Sequence, residues 1–177
     1  MSTAHHNWKL LRSMIIYKSN YLTVRRDTFR RPDGRTHNHA VVVGGRVVAV
    51  LALTVKQEIV LVEQYRPAVK RYTLDLPGGG IDRNESPLAA ARRELLEETG
   101  YHAGRMTLLA KYFSDSGRSD QIRYIYLAHH LVPKGKVDDP HETVRVHHVP
   151  LAQLTRHKGI NENTLLTALL LYQRNHK

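Results

Sequence analysis

The stretch "LPGGGIDRNESPLAAARRELLEETGY", residues 76–101, decides how the chain is read. It joins the glycines Gly78, Gly79 and Gly80 to a segment with helix punctuation at both ends. Ser86 supplies an N-cap oxygen, Pro87 suits the first helical position and Gly100 suits a left-handed stop, which predicts a helix over 87–99. On that helix Glu94, Glu97 and Glu98 fall within an arc of about 100°. Like charges three and four residues apart cost about 0.2–0.5 kcal/mol per pair. The last turn of a helix is also the negative end of its dipole. A solvated acidic patch tolerates these penalties, whereas a bound divalent cation reverses the sign of each. Carboxylate oxygens without sulfur or imidazole suit Mg²⁺ or Mn²⁺, ions that are often shared with phosphate oxygens.

Upstream of this stretch the pattern is that of strands. "YLTVRRDTF" (21–29) and "HNHAVVV" (37–43) alternate around "RPDGRT" (31–36), whose Pro-Asp-Gly chemistry makes a turn, so a hairpin is expected. Residues 1–8 are expected to be loose. Gly44 and Gly45 break the second strand. "RVVAVLALT" (46–54) reads as a buried strand, and "EIVLVEQYR" (58–66) and "YTLDLPGGG" (72–80) follow, the last running into the glycine loop. Downstream, 106–113, 121–131 and 143–151 read as strands, 151–159 as a short helix and 161–177 as a final amphipathic helix. Leu165, Leu166, Leu169 and Leu170 form its apolar stripe, which is expected to pack as core. Strands first, an embedded helix and closing helices predict an α+β fold, a mixed α/β/α sandwich. The expected organisation is an N-terminal β-region over 1–45 and a catalytic domain over 46–177.

In order, Gly79, Glu85, Arg93, Glu94, Leu95, Glu97, Glu98 and Gly100 satisfy G-x5-E-x7-R-E-U-x-E-E-x-G-U, with U a bulky aliphatic residue. This resembles the signature of the Nudix hydrolases. Tyr101 stands where the last aliphatic residue belongs, a departure expected to affect packing and not metal binding. The resemblance implies a Nudix fold with a loop–helix–loop that holds Mg²⁺ or Mn²⁺, and hydrolysis of a nucleoside diphosphate linked to another moiety. It makes Glu94, Glu97 and Glu98 the metal ligands, with the carbonyl of Gly78 a further one, and makes Arg93 the residue that orients the glutamates. The general base varies in this family between a box glutamate, here Glu97, and an acid in a later loop. In "DDPHETVRV" that acid is Glu142, with Asp139 second. A bound cation screens the pyrophosphate oxygens and lowers the pKa of the water it holds.

"VLVEQYRPAV" followed by "YTLDLPGGGID" resembles the branch that hydrolyses ADP-ribose and other nucleotide sugars. That branch carries an N-terminal β-region often used to form a homodimer. In the resemblance Arg66 reaches substrate phosphate or ribose, as suits a planar fork of donors. The loop "DSGRSDQ" departs from it: Ser116 stands in place of a proline and Gln121 in place of an acid. This shifts weight from ADP-ribose towards another sugar nucleotide, whose phosphate Arg118 is placed to contact. Two rivals stay open: a pyrophosphohydrolase acting on RNA 5′ ends or dinucleoside polyphosphates, and a non-catalytic Nudix-like module that senses a nucleotide.

Bulk properties bound these readings. The 177 residues fit one ordinary domain with a small appendage. The formal charge of +11 draws anions, nucleotides and RNA among them, although no block of like charge marks a nucleic-acid tail. The absence of cysteine excludes disulfides, iron–sulfur clusters and thiolate zinc sites. His129–His130 and His147–His148 are adjacent in expected strands, so each pair faces two ways and is ill suited to chelate one ion. No apolar run spans a membrane or resembles a secretory signal, and a cytoplasmic protein is expected.

Overall fold

Along β4 (Arg46–Leu53), Val48, Val50 and Ala52 alternate with Ala49, Leu51 and Leu53, and all six are buried. A strand points successive side chains to opposite faces, so a strand apolar at every position must be covered on both. In the computed structural model, which describes residues 7–135, 144–154 and 162–175, a different helix covers each face. Val48, Val50 and Ala52 pack with Ala90, Ala91 and Leu95 of α1 (Pro87–Thr99). Ala49, Leu51 and Leu53 pack with Leu165, Ala168 and Leu169 of α3 (Asn163–Asn175) and with Leu154 of the short α2 (Leu151–Leu154). The α/β/α layering expected from the sequence is present.

The covered sheet has six strands in the order β6-β5-β4-β8-β7, with β9 also paired to β5. These are β5 (Glu58–Arg66), β6 (Arg71–Asp75), β7 (Tyr101–Phe113), β8 (Ile122–Pro133) and β9 (Arg145–Pro150). Antiparallel pairing of β5 with β6 sets Arg66 opposite Arg71 and Val62 opposite Asp75. Chain contacts divide the molecule into two units: Met1–Gly45 with Phe113–Ile122, and Arg46–Tyr112 with Arg123–Lys177. The six-stranded sheet and its helices build the second.

The first unit holds a three-stranded antiparallel sheet, β1 (Lys9–Lys18), β2 (Thr23–Arg30) and β3 (Thr36–Val42), in that order. The hairpin of β2 and β3 agrees with the sequence reading, and β1 adds to it an edge strand that the sequence did not reveal. Leu10, Ile15, Ile16 and Tyr17 of β1 are exposed. Asp27 is buried between Ser13 Oγ, which donates to it at 2.6 Å, and Arg25 Nε at 3.0 Å. Burial pushes this carboxyl up, but Ser13 and Arg25 outweigh it and hold the group below its ordinary range.

The four leucines of the last helix do not form one core stripe: Leu165 and Leu169 are buried, but Leu166 and Leu170 are 51% and 68% exposed. With Ala168 and Tyr172 packed on the same cluster, the buried face is centred a residue away from the expected line, and 166 and 170 lie on its flank. No helix among the described residues is long and apolar enough to cross a membrane.

Candidate active site

The local chemistry of residues 76–101 folds as its punctuation dictates. Ser86 Oγ accepts from Ala89 N at 3.1 Å, and Gly100, at φ 74°, donates to Leu96 O at 2.8 Å. The glycine loop is laced to β4: Val50 N donates to Pro77 O at 2.8 Å and Val48 N to Gly79 O at 2.9 Å. These bonds aim α1 so that its last two turns face the loop. Glu98, only 7% exposed, accepts from Gly78 N at 2.8 Å. A Cβ on Gly79 would lie 2.6–2.8 Å from the carboxylate of Glu94, so that carboxylate can approach the loop only because the residue is glycine.

Arg93 ties the acids together. Its Nη1 donates to Glu94 at 2.8 Å and Glu97 at 3.0 Å, and its Nη2 and Nε donate to Glu85 at 3.0 and 3.1 Å. Nη2 also donates to Gly80 O at 2.9 Å. A lysine has no planar fork that reaches so many acceptors at once. Hydrogen bonds to Glu85, then to Glu94 and Glu97, raise the Arg93 pKa despite burial. Reciprocally, Arg93 holds Glu85 below the ordinary carboxylate value of 4.5, assisted by the Asp82 N–H and opposed by burial.

A carboxyl whose folded-state pKa is depressed contributes stability above its unfolded pKa and loses it as pH falls through the folded value. Glu85→Gln is therefore expected to lower unfolding free energy by about 1 kcal/mol at neutral pH, since the pair is partly screened by solvent. Urea titrations at about pH 7 and about pH 3 should show the difference from wild type shrink at the lower pH. A difference that stays constant contradicts the Glu85–Arg93 account.

The four acids Glu85, Glu94, Glu97 and Glu98 and the loop glycines are thus brought into one neighbourhood. Among the described residues, however, no three Asp, Glu or His side chains are drawn into a ready-made metal cage. Arg93 and the Gly78 N–H engage the carboxylates instead. The residues still fit a hard divalent cation: the donors are all oxygen, a buried carboxylate is among them, and glycine clears the space beside Glu94. Glu142 and Asp139 lie outside the described residues.

Gly78 also lines a cavity of about 380 Å³ in the second unit, together with Arg66, Asp75, Arg123 and Glu162. Arg66 Nη2 donates to Asp75 at 2.9 Å. Arg118 does not belong to this group: it lines a cavity of about 290 Å³ in the first unit, with Ser116, Arg25, Phe29 and His39. The histidine pairs take separate partners. His147 faces Glu63 at 3.4 Å, and His148 meets the hydroxyl of Tyr101 at 3.0 Å. Tyr101, at the aliphatic place of the motif, thus packs beside the α1-side core while its hydroxyl is engaged.

Asp75, Arg123 and Glu162 were not found from sequence. A signal for Arg123 existed: it has the same strand parity as Ile125 and Leu127, on the face that α3 covers. Glu162 carried none beyond being an acid before a helix.

Residues 43–170 match the NUDIX domain. The chain belongs to the Nudix family. Residues 8–42 match the nucleoside diphosphate sugar hydrolase N-terminal domain. Among relatives of this Nudix protein, an ADP-ribose pyrophosphatase of Mycobacterium tuberculosis is 32% identical over 140 residues, 78% of this chain and 68% of that one. A methanol dehydrogenase activator of Bacillus methanolicus is 32% identical over 71% of this chain and 68% of its own. The solved structure of an ADP compounds hydrolase superposes with a TM-score of 0.86 over 98% of this chain and 96% of that one, at 24% identity, and supports the Nudix fold.

Proposed function

We propose that this Nudix chain hydrolyses the pyrophosphate of a nucleoside diphosphate sugar, ADP-ribose or a related compound, to a nucleoside monophosphate and a sugar phosphate. One observation carries the reading: Gly78 belongs both to the carboxylate cluster, through its bond to Glu98, and to the arginine-lined cavity. Acids suited to a cation and arginines suited to phosphate therefore meet at one loop. The match of residues 8–42 to the N-terminal domain of nucleoside diphosphate sugar hydrolases supports the substrate class.

In this reading Glu94, Glu97 and Glu98, with the Gly78 carbonyl, hold Mg²⁺ or Mn²⁺. When bound, the ion supplies neutralisation of the phosphate oxygens and an acidified water. Arg93 spaces Glu94 and Glu97 and offsets their negative charge. Arg66, already oriented by Asp75, takes a phosphate oxygen. The base that removes the proton of the attacking water is Glu142, with Asp139 and Glu97 the other candidates, and its action must precede or accompany departure of the phosphate leaving group. Arg118, in the loop that departs from the ADP-ribose pattern, takes a phosphate of a different sugar nucleotide.

The test is a panel of nucleoside diphosphate sugars, with a dinucleoside polyphosphate and a 5′-triphosphorylated RNA as contrasts, hydrolysed in H₂¹⁸O and analysed by mass. Cleavage of the sugar nucleotides, with one ¹⁸O in one phosphate product, is expected; turnover of the contrasts alone contradicts the reading. We also propose that the protein acts in the cytoplasm as a homodimer; the dimer is supported by the exposed apolar residues of β1, Leu10, Ile15, Ile16 and Tyr17, on an edge strand. Sedimentation velocity should give the mass of two chains at micromolar concentration, and a single-chain mass would contradict it.

A further inference from the structure

The cavity beside Gly78 is lined by charges of both signs. Arg66 and Arg123 would attract the phosphates of a nucleotide, and Asp75 is neutralised in part by Arg66 at 2.9 Å. Glu162, immediately before α3, has no such function in the chemistry outlined above. A cavity meant only for phosphate gains nothing from a second carboxylate, which repels the ligand. Burial and the nearby Asp75 push the Glu162 carboxyl up, and Arg66, Arg123 and Arg71 pull it back down. Its charge is therefore costly where it stands. An ionised carboxylate only accepts hydrogen bonds, so an uncharged ligand group that offsets this cost must bring donors. Of the parts of a sugar nucleotide, the phosphates bring none, a base such as adenine brings a single amino group, and the sugars bring neighbouring pairs of hydroxyls. Two neighbouring hydroxyls can donate to the two oxygens of one carboxylate, and in dinucleotide sites an acidic residue accepts from a ribose hydroxyl.

We propose that Glu162 is a specificity residue whose carboxylate accepts hydrogen bonds from vicinal hydroxyls of the substrate's sugar, while Arg123 joins Arg66 on the adjoining phosphate. Asn163 and Thr164, which line the same cavity, add polar groups beside it. The inference rests on the reading of this cavity as the site of a nucleotide sugar. It deepens that reading by requiring a diol in the substrate. It also implies that diphosphate esters without the diol are discriminated at binding, not at the chemical step.

The experiment compares wild type, Glu162→Ala and Glu162→Gln on three substrates. These are ADP-ribose, the methyl ester of ADP, which lacks the terminal sugar, and an ADP-ribose whose adenosine ribose is 2′,3′-dideoxy. Circular dichroism melts confirm that each variant is folded, and the near-isosteric Gln variant covers the case in which Ala is not. On ADP-ribose, Glu162→Ala should raise KM by about tenfold or more, the size of a hydrogen bond to a charged group, with kcat changed by less than about threefold. Glu162→Gln, which keeps one acceptor, should recover part of the loss. On one of the two truncated substrates the variants and wild type should share one KM, since the partner hydroxyls are already gone. That substrate identifies the sugar that Glu162 reads. An unchanged KM on ADP-ribose, a KM raised by one factor on all three substrates, or a loss confined to kcat would each overturn the inference while the hydrolase reading stands. Failure of wild type to cleave any of the three would overturn the inference, and only failure on the whole panel of nucleoside diphosphate sugars would overturn that reading as well.

Discussion

Glu98→Gln is expected to lower turnover on a nucleoside diphosphate sugar by about 10²–10³-fold, the effect of removing one preorganised electrostatic group from a polar active site. The fold should survive. Glu98 is held by the Gly78 N–H at 2.8 Å, and the amide oxygen of glutamine can accept the same bond. What the variant loses is a charge, and that charge is buried to 7% exposure. A buried carboxylate is costly to desolvate, and a neutral amide of the same shape that keeps the Gly78 bond is spared that cost. The melting temperature of the variant should therefore be no lower than that of wild type. A stopped assay and a thermal melt on the same preparation separate the outcomes. Wild-type turnover in a folded variant would remove Glu98 from the site, and a large fall in melting temperature would make its role structural.

Gly78→Ala should act in the opposite way, through the fold. A Cβ there would lie 2.2 Å from the carbonyl oxygen of Val48 and 2.8 Å from Cα of Ala49, both backbone atoms of β4. β4 is buried under helices on both faces, so it cannot retreat without disturbing both cores. The loop cannot retreat either without breaking the bonds from Val50 N to Pro77 O and from Val48 N to Gly79 O. Overpacking of this kind costs about 3 kcal/mol, or a melting temperature lower by about 6–12 °C in a domain of this size. Activity should fall with it, because the N–H that positions Glu98 moves with the loop. Gly80→Ala is the control: a Cβ at Gly80 meets nothing within 4 Å. Equal melting temperatures for the two variants would contradict this account of the loop.

These residues show which parts of the structure were legible in advance. The bounds of α1 follow from Ser86, Pro87 and Gly100, signals that act within one turn of the residue concerned, and the structure places the helix at Pro87–Thr99 as read. The buried strand β4 was legible because covering on both faces leaves an uninterrupted apolar run. The missed strand β1 has the opposite character. Its residues are exposed on both faces, so "KLLRSMIIYK" shows no alternation, and irregular register with β2 after Leu10 and Ile15 blurs it further. β7 begins at Tyr101 and not at 106, because pairing in the sheet extends a segment whose own sequence, with Gly104 inside it, has little strand preference.

The two halves of the site differ for the same reason. The acids and Arg93 sit within one loop and one helix, where fixed spacing makes their proximity a matter of helical geometry. The cavity gathers Arg66 from the end of β5, Asp75 from the end of β6, Arg123 from the start of β8 and Glu162 from the approach to α3. Only the order of strands in the sheet brings these together, and a single sequence does not contain that order. The register of β5 and β6 illustrates it: the hairpin folds back so that Arg66 and Asp75, nine residues apart, make an ion pair at 2.9 Å.

The central claim is that the end of α1 and the glycine loop hold a divalent cation for use on a diphosphate. Its most direct measurement is a titration of the purified protein with Mn²⁺, followed by electron paramagnetic resonance of the free ion, in wild type and in Glu98→Gln. Wild type should take up Mn²⁺ and bind it more tightly in the presence of a non-hydrolysable ADP-ribose analogue, and the folded variant should show that uptake greatly weakened. Equal uptake by both proteins, or none by wild type with the analogue present, would contradict the claim.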